Sequence, residues 1–579
     1  MDSLDLTPTD PQTLLALPKD KAEAVLNKLP LEEQASLILL APWEKRHEII
    51  LMSHQSRELV RSMPVEELFW TIKAIGTQDA IHILGLATPE QLQFFLDLDL
   101  WYKDKLRPEK VAAWLLLLSE TEPDALSAWI LFNSSKDQWL IPAMLRLFIT
   151  VQKRPDDMDI QEAKDVLPPF TIDNNYFIGF KKPELQSIAA NLLYKLLEIS
   201  PDLYRNVLET ILTETPTENL EYAYRLRKAR LSDWGIPDYY DSLDIYAKLM
   251  PDQVRKVDLS EPETTPEDMP AIPPFIPTLY MEDYPFLHSA LQEIVGTTAM
   301  ERVLWEWAGA ANKLLMADLV DLDDPDVLKE TLFKASALLN LGLEIMHHLY
   351  GDGAGTILKQ SVIEDLVRVA NTAVWSLVDR LKELINKAII PADLSYIPEE
   401  YIDFLKGLLA ERPGLPVSGK EKFKPFASVS ELEKIQDILD IVETLAKAIS
   451  AIPPEWKKWD YSIAWEQTNL LSPKPFSFDK ALLTAFANKA LGHGLVIAPL
   501  DEKELKKLRT LWDSESSFLS SISKELKELA LKTDINPEIL QKVMIKAFNQ
   551  LAFEWQDIDE SSLTGRDVTM ILVDVHNES

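Results

Sequence analysis

One pattern that metal chemistry could use stands at the end of a predicted helix, in Glu344-Ile345-Met346-His347-His348. A Glu and a His three residues apart share a helix face, and di-iron carboxylate bundles use such pairs to aim two ligands inward. A complete site needs a second pair and two further carboxylates on facing helices. We therefore take Glu344, His347 and His348 as candidate metal ligands. The alternative is that the imidazoles complement the negative end of the helix dipole.

A second candidate metal site is a loop between two predicted helices that contains Asp318, Asp321, Asp323 and Asp324. Carboxylate oxygens are the ligands that Mg²⁺ and Ca²⁺ prefer, but the spacing is not that of an EF-hand loop and the central glycine is missing. The alternative is ordinary helix capping by Asp324 ahead of Pro325.

No catalytic residue and no cofactor site emerge from the sequence. Residues 351–356, GDGAGT, look like a phosphate-binding loop. Dinucleotide and P-loop sites need a preceding strand, and P-loops also need a Gly-Lys-Ser/Thr sequence, but neither is present here. We interpret them as a turn between helices, with an anion on the exposed amides as the alternative. The chain has no cysteine, which excludes thiol nucleophiles, disulfides and cysteine metal sites. Whether the protein is an enzyme stays open, and a non-enzymatic role is favoured.

The charge balance points away from nucleic acid. Lys and Arg number 59 against 93 Asp and Glu, a net charge of −34, so phosphate backbones and anionic lipids repel the chain. The longest apolar run, Val111–Leu118, is far shorter than the roughly 20 residues that a membrane span needs. The N-terminus has no signal-peptide pattern. These features predict a cytoplasmic protein without a membrane span, whose partner is another protein; the oligomeric state is not readable.

Prolines punctuate the N-terminal region at positions 18, 30, 42, 64, 89, 108 and 123, and each of these is followed within three residues by an acid, as in Pro18-Lys19-Asp20 and Pro64-Val65-Glu66-Glu67. Proline with acids in the first turn is typical of helix starts. Such short helices must stack on their neighbours, because a ten-residue helix is marginal alone. We predict a superhelical repeat domain of short helices over residues 10–150.

The run Leu14–Ser53, LLALPKDKAEAVLNKLPLEEQASLILLAPWEKRHEIILMS, resembles the acidic helical N-terminal domain of MgtE-type magnesium transporters. It is also similar to the helical middle domain of the flagellar rotor switch protein. The transporter's membrane domain is not in the chain, so transport is not implied. The whole chain resembles an uncharacterised bacterial helical family of unknown function. That likeness rests on four segments and implies no activity: Ser200–Arg205, Ala229–Asp238, Ala311–Asp318 and Thr484–Asn488.

The remaining chain predicts an all-α protein with three further parts. Residues 151–257 form a helical domain with a hairpin-like insertion near 168–182, where Asp173-Asn174-Asn175 separates two β-prone runs. Residues 258–278 are acidic and proline-rich and predict a linker. Residues 279–579 predict a bundle of long helices, at 287–316, 325–350, 356–390, 398–411, 429–451, 479–493, 501–532 and 536–556.

Three functions fit these features. The favoured one is a non-enzymatic helical scaffold or adaptor that binds another protein, because stacked short helices create extended concave surfaces. The first alternative is a regulatory protein that responds to divalent cations, suggested by the acidic repeats and the transporter resemblance. The second is a helical-bundle metalloenzyme centred on Glu344 and His347.

Overall fold

The computed structural model describes residues 10–257, 284–419, 422–452, 468–469 and 476–574. The chain is predominantly α-helical, which confirms the predicted fold class. In the described ranges we find no helix whose length and apolar character would let it cross a membrane. The predicted linker at 258–278 lies outside these ranges.

The N-terminal region is a succession of short helices: α1 (Pro11–Leu15), α2 (Lys19–Leu26), α3 (Leu31–Leu40), α4 (Trp43–Met52), α5 (Ser56–Ser62), α6 (Val65–Ile75), α7 (Ile81–Leu86), α8 (Pro89–Asp99), α9 (Pro108–Ser119), α10 (Ala125–Lys136) and α11 (Leu140–Phe148). Prolines do begin many of them. Pro18, Pro30, Pro42 and Pro64 directly precede a first helical residue, where their missing N–H costs no helical hydrogen bond.

A small antiparallel sheet interrupts the helices. Its strands β3 (Ile149–Lys153), β4 (Phe170–Thr171) and β5 (Tyr176–Phe180) lie in the order β3-β5-β4, after a two-residue pair β1 (Trp101–Tyr102) and β2 (Lys105–Leu106). The β4–β5 pairing confirms the predicted hairpin, with Phe170 opposite Ile178. The sequence did not predict β3, since it pairs with β5 across an intervening helix, α12 (Ile160–Val166).

The other helices are α13 (Gln186–Ile199), α14 (Pro201–Thr213), α15 (Pro216–Asp233), α16 (Tyr239–Ser242), α17 (Pro285–Gln292), α18 (Thr298–Ala317), α19 (Pro325–Tyr350), α20 (Ala354–Gln360), α21 (Ile363–Asn386), α22 (Glu399–Leu409), α23 (Val429–Ser450), α24 (Phe478–Leu491), α25 (Glu502–Leu511), α26 (Glu515–Thr533) and α27 (Pro537–Trp555). Strands β6 (Leu415–Pro416) and β7 (Phe423–Lys424) form a third small sheet. Short 3₁₀ turns lie at Pro183–Leu185, Leu243–Tyr246, Pro251–Gln253 and Gly565–Asp567.

Three of the long helices predicted for the second half are each two helices in the structure, so these three predictions were wrong. The predicted helix 287–316 breaks between α17 and α18, where Gly296 has a φ of 75°. The predicted helix 501–532 breaks before α26, where Ser514 caps a new helix through the backbone of Ser517. The predicted helix 356–390 breaks at Ser361, whose backbone is extended. Apolar periodicity continues across these breaks, so it does not reveal them.

The chain forms two compact units. The first comprises Met1–Ala247, Val254–Ser336 and Gly353–Arg368; the second comprises Lys248–Gln253, Ala337–Asp352 and Val369–Ser579. Fully buried aromatic rings, including Phe95 and Trp129, fill the core of the first unit, and Phe486, Trp512 and Phe518 fill that of the second. The predicted domain boundaries stay predictions.

The second unit also buries its last described segment, residues 563–574. Val568 and Ile571 of this segment are fully buried. The amide of Asn469 donates to the carbonyl oxygens of both residues, at 2.6 and 2.8 Å, and its Oδ1 accepts from the backbone N–H of Val573 at 2.9 Å. One buried amide therefore satisfies three backbone groups of the segment.

Candidate functional site

The structure uses the predicted ligand Glu344 to hold a helix start. Its Oε2 accepts from the backbone N–H of Val429, the first residue of α23, at 2.8 Å, and its Oε1 accepts from Asn340 at 2.9 Å. His348 Nδ1 lies 2.7 Å from the Glu344 carbonyl oxygen, and His347 Nδ1 lies 2.8 Å from that of Asp352. These contacts fit helix capping and helix termination, so they give the metal hypothesis no support.

The predicted aspartate loop contains carboxylates bound to lysines. Asp318 accepts from the Tyr246 hydroxyl and from Lys334 Nζ, both at 2.6 Å. Asp321 and Asp324 each accept from the backbone N–H of the residue two positions later. Asp324 thereby caps α19, as the alternative interpretation of this loop predicts.

Asp323 joins a buried charge cluster. Lys73, which is almost fully buried, donates to Asp323 at 2.5 Å and to Asp99 at 2.7 Å, and Lys110 contacts both carboxylates. Partial burial acts to raise the pKa of Asp323, but Lys110 and Lys73 outweigh it and lower that pKa to about 2. Among the described residues, no group of three or more His, Asp or Glu side chains is placed to hold a metal ion.

A backbone N–H of the glycine turn at 351–355 binds a carboxylate of the protein itself. Gly351 has a φ of 75°, as expected for a residue that terminates a helix. The N–H of Gly355 in α20 donates to Glu293 Oε2 at 3.2 Å. A Cβ at position 355 would lie 2.3 Å from that oxygen, so the glycine permits the close approach.

A partly open cavity of about 200 Å³ lies where α8, α10 and α15 meet in the first unit. It combines aromatic, amide and charged groups. Its lining residues are Glu90, Gln93, Phe94, Asp97, Phe132, Asn133, Lys136, Asp137, Arg230, Leu231, Asp233 and Trp234.

Helix periodicity places these side chains together. Glu90, Gln93, Phe94 and Asp97 follow the i, i+3, i+4, i+7 spacing of one helix face. A capping box fixes the start of α8, since Thr88 Oγ1 accepts from the N–H of Gln91 while the Gln91 side chain accepts from the N–H of Thr88. The start of α15 has the same arrangement at Thr215 and Glu218.

The floor of the cavity is an ion-pair network. Arg230 donates to both oxygens of Asp97, through Nε at 2.6 Å and Nη2 at 2.8 Å, and through Nη1 to Asp137 at 2.9 Å. Asp97 is 99 % buried and Asp137 is 98 % buried. Burial acts to lower the pKa of Arg230, but the two aspartates outweigh it and raise that pKa above its ordinary value. The guanidinium therefore stays charged and joins α8, α15 and the end of α10.

Buried amides extend the network on one side of the floor. Gln93 Nε2 donates to Asp97 at 3.0 Å, and Gln93 Oε1 accepts from Trp129 Nε1 and from Asn133 Nδ2, both at 2.9 Å. Asn133 Oδ1 is buried and accepts no hydrogen bond from the described residues. This oxygen has almost no accessible surface, so it lies within the network and not on the cavity wall.

The rim of the cavity is aromatic and acidic. Trp234 is 42 % exposed, and its ring meets that of Phe94 edge-on with centroids 5.7 Å apart. Lys136 Nζ lies 4.2 Å from the centroid of the Phe132 ring. Glu90 and Asp233 are exposed and form no ion pair within the described part of the chain.

A second, smaller cavity of about 20 Å³ holds Glu66 against apolar side chains that include Trp70, Phe94 and Leu315. Its volume suits roughly one water molecule. Burial, followed by the charge of Glu67, raises the pKa of Glu66 to about 7 although a backbone hydrogen bond opposes the shift. Phe94 lines both cavities.

Sequence reasoning missed this site, although one signal was present. That signal is the polar stripe of Gln93 and Asp97 on the otherwise apolar α8. The basic run at 225–230 on α15 does not reveal it, because Arg225 pairs with Glu221 on the surface, whereas Arg230 pairs internally. The carboxylate partners of Arg230 lie 93 and 133 residues away in the sequence.

Comparison with known proteins gives a family but no function. No curated protein and no solved structure matches the chain. A model for a family of unknown function, DUF6178, matches residues 23–574, which is nearly the whole chain. The match bears out the resemblance to an uncharacterised family, whereas the likeness to MgtE-type transporters stays a prediction. The cavity, its ion-paired floor and its aromatic rim are thus features of a chain that belongs to the DUF6178 family of unknown function.

Proposed function

We propose that this chain is a non-enzymatic helical adaptor of the bacterial cytoplasm, and that its cavity takes up one side chain of a partner protein. The observation that carries the proposal is a cavity of about 200 Å³ with a fixed polar floor and an exposed aromatic rim. Drug-sized ligands occupy pockets of about 300–1,000 Å³, so this one suits a single side chain better.

The hydrogen bonds that the floor carboxylates already accept favour a binding role over catalysis. General acid–base chemistry needs a group that can exchange a proton with a substrate. Asp97 already accepts from Arg230 and Gln93. Asp137 accepts from Arg230 and from the N–H groups of Trp139 and Leu140. Both carboxylates are therefore committed to holding the helices in place.

The rim supports a protein partner. Tryptophan and other aromatic side chains carry much of the energy of protein interfaces, above all beside pockets. Trp234 is partly exposed and rests on the buried ring of Phe94, so it is held in position before any partner arrives. A side chain ordered in advance reduces the entropy cost of binding.

A paired experiment tests the proposal. A photo-crosslinking amino acid replaces Lys136 at the rim, or Phe553, which is 72 % exposed in the second unit, as a control. We expect one protein to be crosslinked at position 136 in living cells, and we expect Trp234→Ala to abolish that product. Crosslinks to the same protein at both positions, or a product that survives Trp234→Ala, would contradict the proposal.

The two alternatives have less support. The aspartates of the divalent-cation hypothesis are engaged with lysines, as at Asp318 and Asp323, or with backbone N–H groups. Glu344 of the metalloenzyme hypothesis caps α23. A metal ion would have to displace these contacts before it could bind.

A further inference from the structure

The chemistry of the cavity limits which side chain can fill it. Four of its charged lining residues are acids and two are bases. Arg230 is shared between Asp97 and Asp137, and the buried Arg227 donates to the Asp97 carbonyl oxygen at 2.6 Å, so the floor is close to neutral. At the rim, Glu90 and Asp233 oppose only Lys136, whose ammonium lies over the Phe132 ring. The local charge therefore favours a cation.

Hydrogen bonding at the rim points the same way. Glu90 and Asp233 line the cavity, are exposed and form no ion pair within the described part of the chain. Their carboxylates accept from a guest that brings N–H donors, whereas they repel a carboxylate guest.

The exposed ring at the rim offers a further contact for a cation. Trp234 lines the cavity and is 42 % exposed, and aromatic faces attract guanidinium and ammonium groups. A guanidinium fits this setting best, because it is planar, stacks on rings and carries five donors in one plane. The net charge of −34 would also draw basic segments toward the protein.

We propose that the cavity binds an arginine side chain presented by a basic segment of the partner protein. This inference rests on the proposed adaptor function and specifies its ligand. The guanidinium stacks on the exposed ring of Trp234 and donates to Glu90 and Asp233, which neutralise its charge.

The direct test measures binding of a fluorescent six-residue peptide with one central arginine by anisotropy at physiological salt. A peptide with citrulline at that position is its matched control, because citrulline keeps the shape and loses the charge. We expect the citrulline peptide to bind at least about tenfold more weakly, which corresponds to 1.4 kcal/mol. Equal binding of the two peptides, or no detectable binding of either, would overturn the proposal.

Variants of the protein separate the site from its general acidity. Glu90→Gln with Asp233→Asn should weaken arginine-peptide binding about tenfold. The control, Asp156→Asn with Glu184→Gln, removes two exposed acids elsewhere on the first unit and should change binding less than about twofold. Equal losses in both variants would show diffuse attraction and overturn the site. Thermal melts confirm that each variant is folded.

Two further outcomes identify the ligand's source and protect the adaptor proposal. Binding of free arginine methyl ester is compared with binding of the arginine peptide. Equal affinity would overturn the assignment to a protein segment and favour a small-molecule ligand. In cells, the crosslinked partner could be lost in Trp234→Ala but retained in Glu90→Gln/Asp233→Asn. That result would support the adaptor function and overturn the assignment of arginine as the bound side chain. Loss in both variants supports both proposals.

Discussion

Two buried carboxylates in the first unit depend on one cation. Among the described residues, Arg230 forms the ion pairs of both Asp97 and Asp137. Removing one partner of a buried ion pair typically costs about 3–5 kcal/mol, because the remaining charge stays buried. We expect Arg230→Ala to lower the thermal midpoint of the first unit markedly. Arg225→Ala, which removes an exposed pair with Glu221, is the control and should cost under about 1 kcal/mol. Similar midpoints for both variants would argue against the network.

Glu66 makes a prediction about pH. Its folded pKa of about 7 lies above the ordinary 4.5, so between these values the unfolded state loses its proton first. Stability from this group therefore falls as pH rises from 4.5 to 7 and levels off above. Glu66→Gln should match wild type near pH 4.5 and exceed it at pH 8, by up to about 3 kcal/mol. Denaturant unfolding at both pH values measures the difference, and Glu58→Gln, which removes an exposed acid of the same unit, is the control. A deficit for Glu66→Gln at pH 8 would contradict the assignment.

At the scale of elements, local signals predicted what local contacts decide. Proline followed by acids indicated helix starts such as α2 and α6, and the turn residues at 173–175 indicated the β4–β5 hairpin. Strand β3 escaped prediction because its partner lies across α12, and the breaks before α18 and α26 escaped because apolar spacing continues through them. The candidate site was missed for the same reason: its charge pairs join distant helices.

The buried segment 563–574 provides a prediction at this scale. Asn469→Ala would leave two backbone carbonyls and one N–H without their partner. Each unsatisfied buried group costs about 1–3 kcal/mol, so the segment should open more often than the unit unfolds. Hydrogen exchange at Val573 should accelerate at least about tenfold in this variant. The exposed Asn386→Ala is the control and should leave exchange at Val573 unchanged. Unaltered protection in Asn469→Ala would argue against the anchor.

For the whole molecule, charge is the governing property. A net charge of −34 destabilises the folded chain by self-repulsion, and salt screens it. We expect the melting temperature to rise as NaCl increases from about 10 mM to 0.3 M. MgCl₂ at equal ionic strength separates screening from a specific site. A larger rise with MgCl₂ would support the divalent-cation alternative, and an equal rise would contradict it.

The ion pairs of the cavity floor also determine when α8 can pack during translation. Asp97 and its partner Arg230 are 133 residues apart. At about 5–20 residues per second, a ribosome needs roughly 7–27 s to add the arginine after the aspartate. Throughout that interval α8 carries a carboxylate that cannot be buried without its cation. Helix α8 therefore completes its packing only after α15 is made, and a chain whose translation stalls before Arg230 exposes an unfinished core to chaperones and proteases.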